Sequence, residues 1–219
     1  MIERVLPDGV AHAEVFGDVP EATLFPAEAE VVRRAVDKRR REFTTVRHCA
    51  RQALGRLGVP PVPLLPGERG APRWPDGVVG SMTHCAGYRA AAVARAEDMW
   101  TIGIDAEPHA ALPEGVLPLV SLPSERDLLD RLAGTAPEVS WDRLLFCAKE
   151  AVYKAWFPLA RRWLDFHEAA VDLAEDGTFS VRLLVDGPVV AGAPLAGFTG
   201  RWVVERDIAV AAVTMPVRR

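Results

Sequence analysis

The sequence of 219 residues predicts an α+β protein that is a pseudo-dimer of two similar α+β halves, with helices packed on mainly antiparallel sheets. A short internal repeat supports this: Cys-Ala-Arg-Gln-Ala at residues 49–53 is matched by Cys-Ala-Lys-Glu-Ala at residues 147–151. Five residues can match by chance, but each copy lies in a helical pattern, and each is followed by a strand rich in alanine and valine. We expect the halves to be residues 1–97 and 98–219, and ligands favour such interfaces.

The first half opens with loops and continues as a helical segment. Residues 1–26 mix short apolar pieces with prolines and glycines, which predicts one or two strands between loops. From Ala27 apolar residues recur at three- and four-residue steps until Gly58 ends the run. A break in this helical segment is expected near Arg40.

A basic stripe accompanies the helical segment. Arg40, Thr44, Arg47 and Arg51 recur at helical spacing and share one face. A charge run is usually a solvated face, whereas arginines in this arrangement also suit a phosphate group. The sequence by itself leaves both interpretations open.

The end of the first half predicts a loop and then strands. Prolines and glycines throughout residues 59–77 indicate a loop. Residues 80–83 are predicted to be the end of a strand that leads into His84. Residues 88–94 are predicted to be a buried strand; a short helix is the alternative for this second segment, because alanine favours helices. A lone histidine is usually structural, but His84 follows two hydroxyl side chains, so a phosphate contact is a second interpretation.

The second half opens with an acidic strand. Residues 101–108 alternate in a strand pattern, so Asp105 and Glu107 point to the same face. Two close carboxylates repel each other, and one would stay protonated unless a cation lay between them. For this pair alone, an edge strand with a solvated acidic face is the simpler interpretation.

A helical pattern at residues 141–156 changes the interpretation of the acidic strand. Glu150 and Lys154 lie four residues apart and share one face of the predicted helix. We predict that Glu150 completes a metal site with Asp105 and Glu107.

The remaining segments complete the α+β pattern. Residues 109–123 form a loop whose apolar side chains are either core or a docking surface for a partner. A capping-box-like start predicts a helix at residues 124–132, and the helix at 141–156 is expected to stop at Pro158. Alternating patterns predict antiparallel strands at residues 170–173, 179–185, 202–205 and 208–214.

The composition sets further limits. Apolar residues make up 49% and charged residues 26%, which is typical of a globular protein, and a net charge of −4 argues against binding to nucleic acid or anionic membranes. No apolar run is long enough for a signal peptide or a membrane span. The three widely spaced cysteines are expected to be reduced, mostly buried thiols, as in a cytoplasmic protein.

Five runs of residues, taken together, resemble the 4′-phosphopantetheinyl transferases of the monomeric surfactin- and enterobactin-synthetase type. These runs lie at residues 40–51, 70–75, 80–89, 103–108 and 146–154. Each run is modest alone, but their order and spacing are specific, and the likeness covers roughly residues 30–165.

The resemblance implies an activity and its partners. Phosphopantetheine would pass from coenzyme A to a serine of an acyl or peptidyl carrier protein, with release of 3′,5′-ADP. The carriers would belong to fatty acid, polyketide or nonribosomal peptide synthesis. The resemblance further implies a monomer with coenzyme A between its halves, and Mg²⁺, or alternatively Mn²⁺, as the metal.

The resemblance also assigns site residues. Asp105, Glu107 and Glu150 would bind the metal. Glu150 would accept the serine proton, directly or through water, and Lys154 would hold or protonate the departing phosphate. The expected coenzyme A contacts are Arg39, Arg47, Arg69, Thr83, His84, Lys149 and Lys154.

Two other functions fit the same carboxylates and cations. One is a Mg²⁺-dependent hydrolase of a nucleotide pyrophosphate, with water as the nucleophile. The other is a coenzyme A or nucleotide sensor without turnover.

Overall fold

Two antiparallel sheets, each covered by a long helix, make up the structure, a computed structural model that describes residues 1–217. The elements in chain order are β1 (Ala11–Phe16), α1 (Pro26–Val31), α2 (Asp37–Arg56), β2 (Val78–Cys85), β3 (Tyr88–Arg95), β4 (Met99–Pro108), α3 (Leu117–Val120), α4 (Pro123–Thr135), α5 (Trp141–Ala160), β5 (Ala169–Leu173), β6 (Thr178–Leu183), β7 (Val189–Val190), β8 (Ala193–Pro194), β9 (Gly197–Glu205) and β10 (Ile208–Pro216).

The sheets confirm the predicted α+β class. The first has the strand order β1-β3-β2, and the second has the order β4-β10-β9-β6-β5, with all neighbours antiparallel. Strands β7 and β8 form a separate small hairpin. Helix α2 packs on the first sheet and α5 on the second, and buried side chains from both sheets form a shared core between them.

The internal repeat is visible in the contacts of its two cysteines. Cys49 Sγ on α2 donates to the carbonyl oxygen of Arg89, the second residue of β3, at 3.8 Å. Cys147 Sγ on α5 donates to the carbonyl oxygen of Ala209, the second residue of β10, at 3.7 Å. The same five-residue motif therefore fixes a helix to an Ala/Val-rich strand in both halves. These cysteines and Cys85 are buried and free of disulfides, as expected.

A second repeated feature was not recognised in the sequence. Helices α1 and α4 each begin with proline, and the third helical residue is a buried glutamate that caps the helix, Glu28 in one and Glu125 in the other. Glu28 accepts hydrogen bonds from Arg51 at 3.0 Å, and Glu125 pairs with Lys149 at 2.8 Å. Arg51 and Lys149 occupy matching positions in the cysteine repeat, so this ion pair is a structural device common to both halves.

The two sheets meet along β2 and β4, which are edge strands of different sheets. Side chains of β2 accept hydrogen bonds from the backbone of β4: Ser81 Oγ accepts from the N–H of Ile104 at 3.0 Å, and Thr83 Oγ1 accepts from the N–H of Ala106 at 3.1 Å. These hydroxyls satisfy donors that an exposed sheet edge would leave open. The seam between the halves is thus closed by side chains.

Several predicted boundaries were wrong. The helical break lies at residues 32–36, and α2 starts at Asp37, whose negative charge suits a helix N-terminus. His84 lies within β2 rather than after it. Helix α5 continues past Pro158 to Ala160, because proline removes one N–H donor near the helix end while the residues before it stay buried.

The other expectations are largely met. Residues 88–94 form a strand and not a helix, buried on both faces. The loop at residues 59–77 contains a short 3₁₀ turn, Glu68–Gly70. The loop at 109–123 contains the single turn of α3. In the described part of the chain, none of the helices is both long and apolar enough to span a bilayer.

Candidate active site

A cavity of about 1020 Å³ lies between the two halves. The first half contributes α2, the loop around Glu68–Gly70 and β2, and the second half contributes β4 and α5. All the site residues expected from the sequence line this cavity except Glu107 and Lys149. Both halves of the chain are therefore needed to build one site.

Asp105 lies on the floor of the cavity on β4 and is 5% exposed. Its Oδ1 accepts hydrogen bonds from Lys154 Nζ at 2.7 Å and from Thr83 Oγ1 at 3.1 Å. Its Oδ2 is buried and has no hydrogen-bond partner within residues 1–217. A buried carboxylate oxygen without a partner is costly, which indicates a place for a cation. The solvated acidic face is therefore wrong for Asp105.

Glu150 on α5 lines the same cavity as Asp105 and is influenced by its charge. Burial raises the pKa of Glu150 above its ordinary value, the negative charge of Asp105 raises it further, and Lys154 opposes both. A carboxylate with a raised pKa suits proton transfer near neutral pH. Glu150 also lines the cavity, so it can reach a bound substrate.

Glu107 does not line the cavity, and its Oε2 lies 3.1 Å from Nη1 of Arg143. Burial and the charge of Asp105 raise the pKa of Glu107, and Arg143 opposes this shift. Across the residues that the structure describes, no three His, Cys, Asp or Glu side chains are arranged to hold a metal ion. That Asp105, Glu107 and Glu150 together bind the metal stays a prediction.

Lys154 ties the two walls of the seam together. Its ammonium donates to Asp105 Oδ1, to the carbonyl oxygen of Ile104 at 3.0 Å and to that of Met82 at 3.4 Å. Burial lowers the pKa of Lys154, but Asp105 and Glu150 outweigh it, so the net shift is upward. The side chain is therefore a charged donor, fixed at the cavity floor.

Arg39 and His84 form a pair on the first-half wall. Arg39 Nη1 donates to His84 Nε2 at 2.7 Å, which leaves the other ring nitrogen towards Glu42 at 3.8 Å. Burial is the main cause that lowers the pKa of His84, and Arg39 adds to it. Arg39 is exposed, so its guanidinium is available to an anion in the cavity.

Arg47 is more deeply embedded than its place in the basic stripe suggested. Its Nε donates to the carbonyl oxygen of Leu64 at 2.9 Å, and its guanidinium lies 3.1 Å from the centroid of the Phe43 ring. Burial lowers its pKa to about 10. Arg47 lines the cavity but is also a core side chain, so neither sequence interpretation describes it fully.

Arg69 and Tyr153 line another part of the cavity, and both contact Trp163. Arg69 adopts a positive φ of 52° in its 3₁₀ turn, and its guanidinium lies 5.8 Å from the Trp163 ring. Tyr153 packs on Trp163 at 4.7 Å between ring centroids, and its buried hydroxyl has no partner within the described chain. Sequence reasoning missed Tyr153, although it directly precedes Lys154.

Lys149 and Thr83 were expected to contact coenzyme A, but in the structure both side chains already bond to other parts of the protein. Lys149 is directed away from the cavity and donates to the carbonyl oxygens of Phe166 and Ala169 as well as pairing with Glu125. Thr83 lines the cavity, but its hydroxyl already bonds Asp105 and β4. The geometry thus gives Lys149 a structural position and Thr83 a place beside the carboxylate.

Arginines on one wall of an interdomain cleft and carboxylates on its floor define an enzyme for a phosphate-bearing substrate. Two family models match the chain: the 4′-phosphopantetheinyl transferase N-terminal domain over residues 27–94, and the 4′-phosphopantetheinyl transferase superfamily over residues 101–203. The chain belongs to this superfamily.

Whole-chain relatives agree with the family models. The chain is 58% identical over 219 residues to 4′-phosphopantetheinyl transferase Svp of Streptomyces mobaraensis, covering 98% of the chain and 89% of that protein. It is 50% identical to 4′-phosphopantetheinyl transferase PptT of Mycobacterium tuberculosis, covering 98% of each. It is 51% identical to 4′-phosphopantetheinyl transferase Npt of Nocardia iowensis, covering 97% of the chain and 99% of that protein. The chain is an enzyme that transfers 4′-phosphopantetheine from coenzyme A to carrier proteins.

Proposed function

We propose that the transfer takes place at the cavity floor, onto a serine of an acyl or peptidyl carrier protein, with Mg²⁺ as the metal. The observation that carries this assignment is the buried, unpartnered Oδ2 of Asp105 beside Lys154. The family gives coenzyme A and carrier proteins as substrates. The serine acceptor, the metal and the role of each residue are our proposal.

Mg²⁺ would be held by Asp105 and Glu150, with Glu107 of the same strand as the third carboxylate, together with phosphate oxygens of coenzyme A. This donor set fits, because Mg²⁺ prefers hard oxygen ligands and usually binds through one or two carboxylates plus substrate phosphates and water. When bound, the ion offsets the negative charge that develops on the pyrophosphate as its bond breaks. Mn²⁺, with similar ligand preferences, is the alternative.

The residues of this chain then act on the reacting groups. Glu150 takes the proton of the serine hydroxyl while the serine oxygen forms its bond to phosphorus. The bond to the leaving phosphate breaks, and 3′,5′-ADP departs. Lys154 stabilises the charge on that phosphate from the cavity floor, where its ammonium is held between β2 and β4.

Incubation with coenzyme A, Mg²⁺ and an apo carrier protein tests the proposed function. We expect the carrier to gain the mass of one phosphopantetheine and an equal amount of 3′,5′-ADP to appear. Release of 3′,5′-ADP without a carrier would instead indicate the pyrophosphate hydrolase. Binding of coenzyme A without any product would indicate the sensor.

Arg39 is the residue that we expect to read the 3′-phosphate of coenzyme A, because it is exposed and lines the cavity. Arg39→Gln should raise the KM for coenzyme A roughly tenfold and leave kcat nearly unchanged, since a remote phosphate contact helps substrate and transition state equally. The measurement compares coenzyme A with 3′-dephospho-coenzyme A. If the variant prefers coenzyme A as strongly as the parent, Arg39 does not read this phosphate.

Arg47→Ala is the informative companion to that variant. The sequence indicated that Arg47 mainly serves coenzyme A binding, but its buried bonds to Leu64 and the Phe43 ring also stabilise the fold. We therefore expect a lower thermal midpoint for Arg47→Ala and not for Arg39→Gln. A thermal scan of both without ligand separates the two roles.

The carrier protein is expected to dock on the apolar loop that contains α3. In this loop Leu117 packs against the core, whereas Leu119 is 68% exposed and is therefore the test position. Leu119→Asp should raise the KM for the carrier about tenfold and leave coenzyme A affinity unchanged, because it puts a charge into an apolar contact.

Val189→Asp is a matched control for this docking site. Val189 is 71% exposed but lies on the β7–β8 hairpin. An equal rise in the KM for the carrier in both variants would show that a surface charge, and not the loop, weakens docking.

We also propose that the enzyme acts as a monomer in the cytoplasm, with halves divided between residues 97 and 98. Both walls of the cavity come from one chain, which supports a monomer. The first half has Gln52 where the second has Glu150, and Gln52 bonds His48 on its own helix. One metal site per chain is therefore proposed, in the second half.

A further inference from the structure

Glu42 on α2 connects a buried cation to the histidine of the cavity wall. Its Oε1 lies 3.8 Å from Arg89 Nη2, and its Oε2 lies 3.8 Å from His84 Nδ1. His84 and Arg89 are cross-strand partners in the β2–β3 pair, so their side chains leave the same face of the first sheet, on which α2 packs. The Glu42 carboxylate is buried and lies between these two side chains.

Arg89 supplies a fixed positive charge behind Glu42. Its Nη1 donates to the carbonyl oxygens of Cys85 and Tyr88 at 2.5 Å and 3.0 Å, and its Nη2 donates to Asp18 Oδ1 at 2.7 Å. Only 5% of the Arg89 side chain is exposed. Because an arginine side chain stays charged in proteins, the Glu42 carboxylate has a permanent cationic neighbour on the side away from the cavity.

The ring of His84 is neutral in the free protein at neutral pH. Its Nε2 accepts from Arg39 Nη1 at 2.7 Å, and since arginine can only donate, the ring proton lies on Nδ1, on the side of Glu42. The charged groups that face the ring are Glu42 and Arg39 on α2, Arg89 on β3 and Lys154 on α5. Burial lowers the pKa of His84, the three cations lower it further, and Glu42 opposes them.

We propose that Glu42 is a positioning residue for coenzyme A, which holds the imidazolium form of His84 when a phosphate of coenzyme A reaches Nε2. The ring then takes up one proton from solvent at Nε2 and donates it in a hydrogen bond to a phosphate oxygen, while Arg39 turns from the ring to the same substrate. Both N–H groups of the imidazolium face an anion, the phosphate on one side and Glu42 on the other. This inference rests on the proposed binding of coenzyme A in the cavity and involves neither the metal nor the acceptor serine.

Glu42 has two opposite effects on a bound phosphate, and pH separates them. As an anion it repels the phosphate directly, whatever the state of His84. As the neighbour of His84 it favours the added proton, which attracts the phosphate. Binding that takes up a proton strengthens as the pH falls through the pKa that His84 has in the complex, and this benefit is lost above that pKa. Glu42 therefore helps binding at neutral pH and does not help it at high pH.

Calorimetric titration of coenzyme A into the metal-free protein tests the proposal without measuring turnover. At neutral pH, Glu42→Gln should bind coenzyme A about fivefold more weakly than the parent, because loss of a nearby opposite charge lowers the pKa of a histidine by about one unit. Above about pH 9 the same variant should bind at least as tightly as the parent, since the ring is then neutral in both complexes. Titrations in buffers of different ionisation enthalpy should show less proton uptake in the variant than in the parent.

Two further variants locate the effect at His84. In a His84→Gln background, Glu42→Gln should weaken binding no further, because the ring that gains the proton is absent. Glu68→Gln is the matched control, since Glu68 is an exposed glutamate that lines another part of the same cavity. Its loss removes a negative charge from the cavity and should leave coenzyme A affinity equal to or higher than that of the parent.

Two outcomes would overturn the proposal. One is parental or tighter binding by Glu42→Gln at neutral pH; the other is an equal weakening at every pH, which marks a purely structural role. If Glu42→Gln does not fold in a thermal scan, proton uptake by His84→Gln decides instead, because uptake equal to that of the parent would show that His84 does not gain the proton. Failure of the parent itself to bind coenzyme A would refute the binding site of the proposed function and with it this inference.

Discussion

Asp105→Asn is expected to lower the turnover of phosphopantetheine transfer by about 1000-fold, or roughly 4 kcal/mol of transition-state stabilisation. The amide keeps the shape of the side chain but removes the charge that would hold the metal and that now pairs with Lys154. Single-turnover mass measurement of the carrier, with coenzyme A in excess, gives the rate.

Asp172→Asn provides the matched control, because Asp172 is an exposed aspartate on β5, outside the cavity. It should transfer phosphopantetheine at the parental rate. A thermal scan of Asp105→Asn distinguishes lost chemistry from lost structure. A folded Asp105→Asn variant with near-parental turnover at limiting Mg²⁺ would show that the metal is held elsewhere.

Gly103→Ala is expected to have the largest effect on stability, more than about 4 kcal/mol, which is a large part of the roughly 5–15 kcal/mol by which native domains are stable. A Cβ at Gly103 would lie 1.9 Å from the carbonyl oxygen of Ala151 and 2.6 Å from the backbone nitrogen of Ala155. Both atoms belong to the backbone of α5, so the helix would have to move off β4. Since α5 carries Glu150 and Lys154, any folded fraction should also be inactive.

The control for this variant is Gly134→Ala on α4. Gly134 is exposed, and an added Cβ there would meet nothing within 4 Å. Alanine is the better helix former by roughly 0.5–1 kcal/mol, so Gly134→Ala should be equal to or more stable than the parent. Denaturant unfolding of both variants checks the contrast. A Gly103→Ala variant as stable as the parent would contradict the direct packing of α5 on β4.

The elements that carry the site could be predicted because their signals are local. The alternation around Asp105 and the helix formers around Glu150 specify a strand and a helix with these side chains on known faces. The cysteine repeat further indicated that the two halves match. The resemblance to the family predicted that the two halves enclose one cleft, and the structure has a cavity lined by residues of both halves.

The side chains that were misjudged are those whose environment depends on distant residues. Arg47 belongs to a regular basic stripe, and the sequence does not show that Leu64 and Glu28 meet it inside the protein. The contact between Arg143 and Glu107 likewise joins separate elements. The position of Lys149 could have been predicted. Its partner Glu125 is the third residue of a helix that begins with proline, as Glu28 is in the first half, and this repeated pattern is present in the sequence.

The hydroxyl bonds along the seam have a consequence for how the protein moves. The N–H groups of Ile104 and Ala106 are protected by Ser81 and Thr83 of the other half, not by a strand of their own sheet. Parting of the halves would expose these two amides to solvent while both β ladders stay intact. Their hydrogen–deuterium exchange therefore reports the breathing of the cleft, separately from global unfolding, and coenzyme A that bridges both walls would slow it.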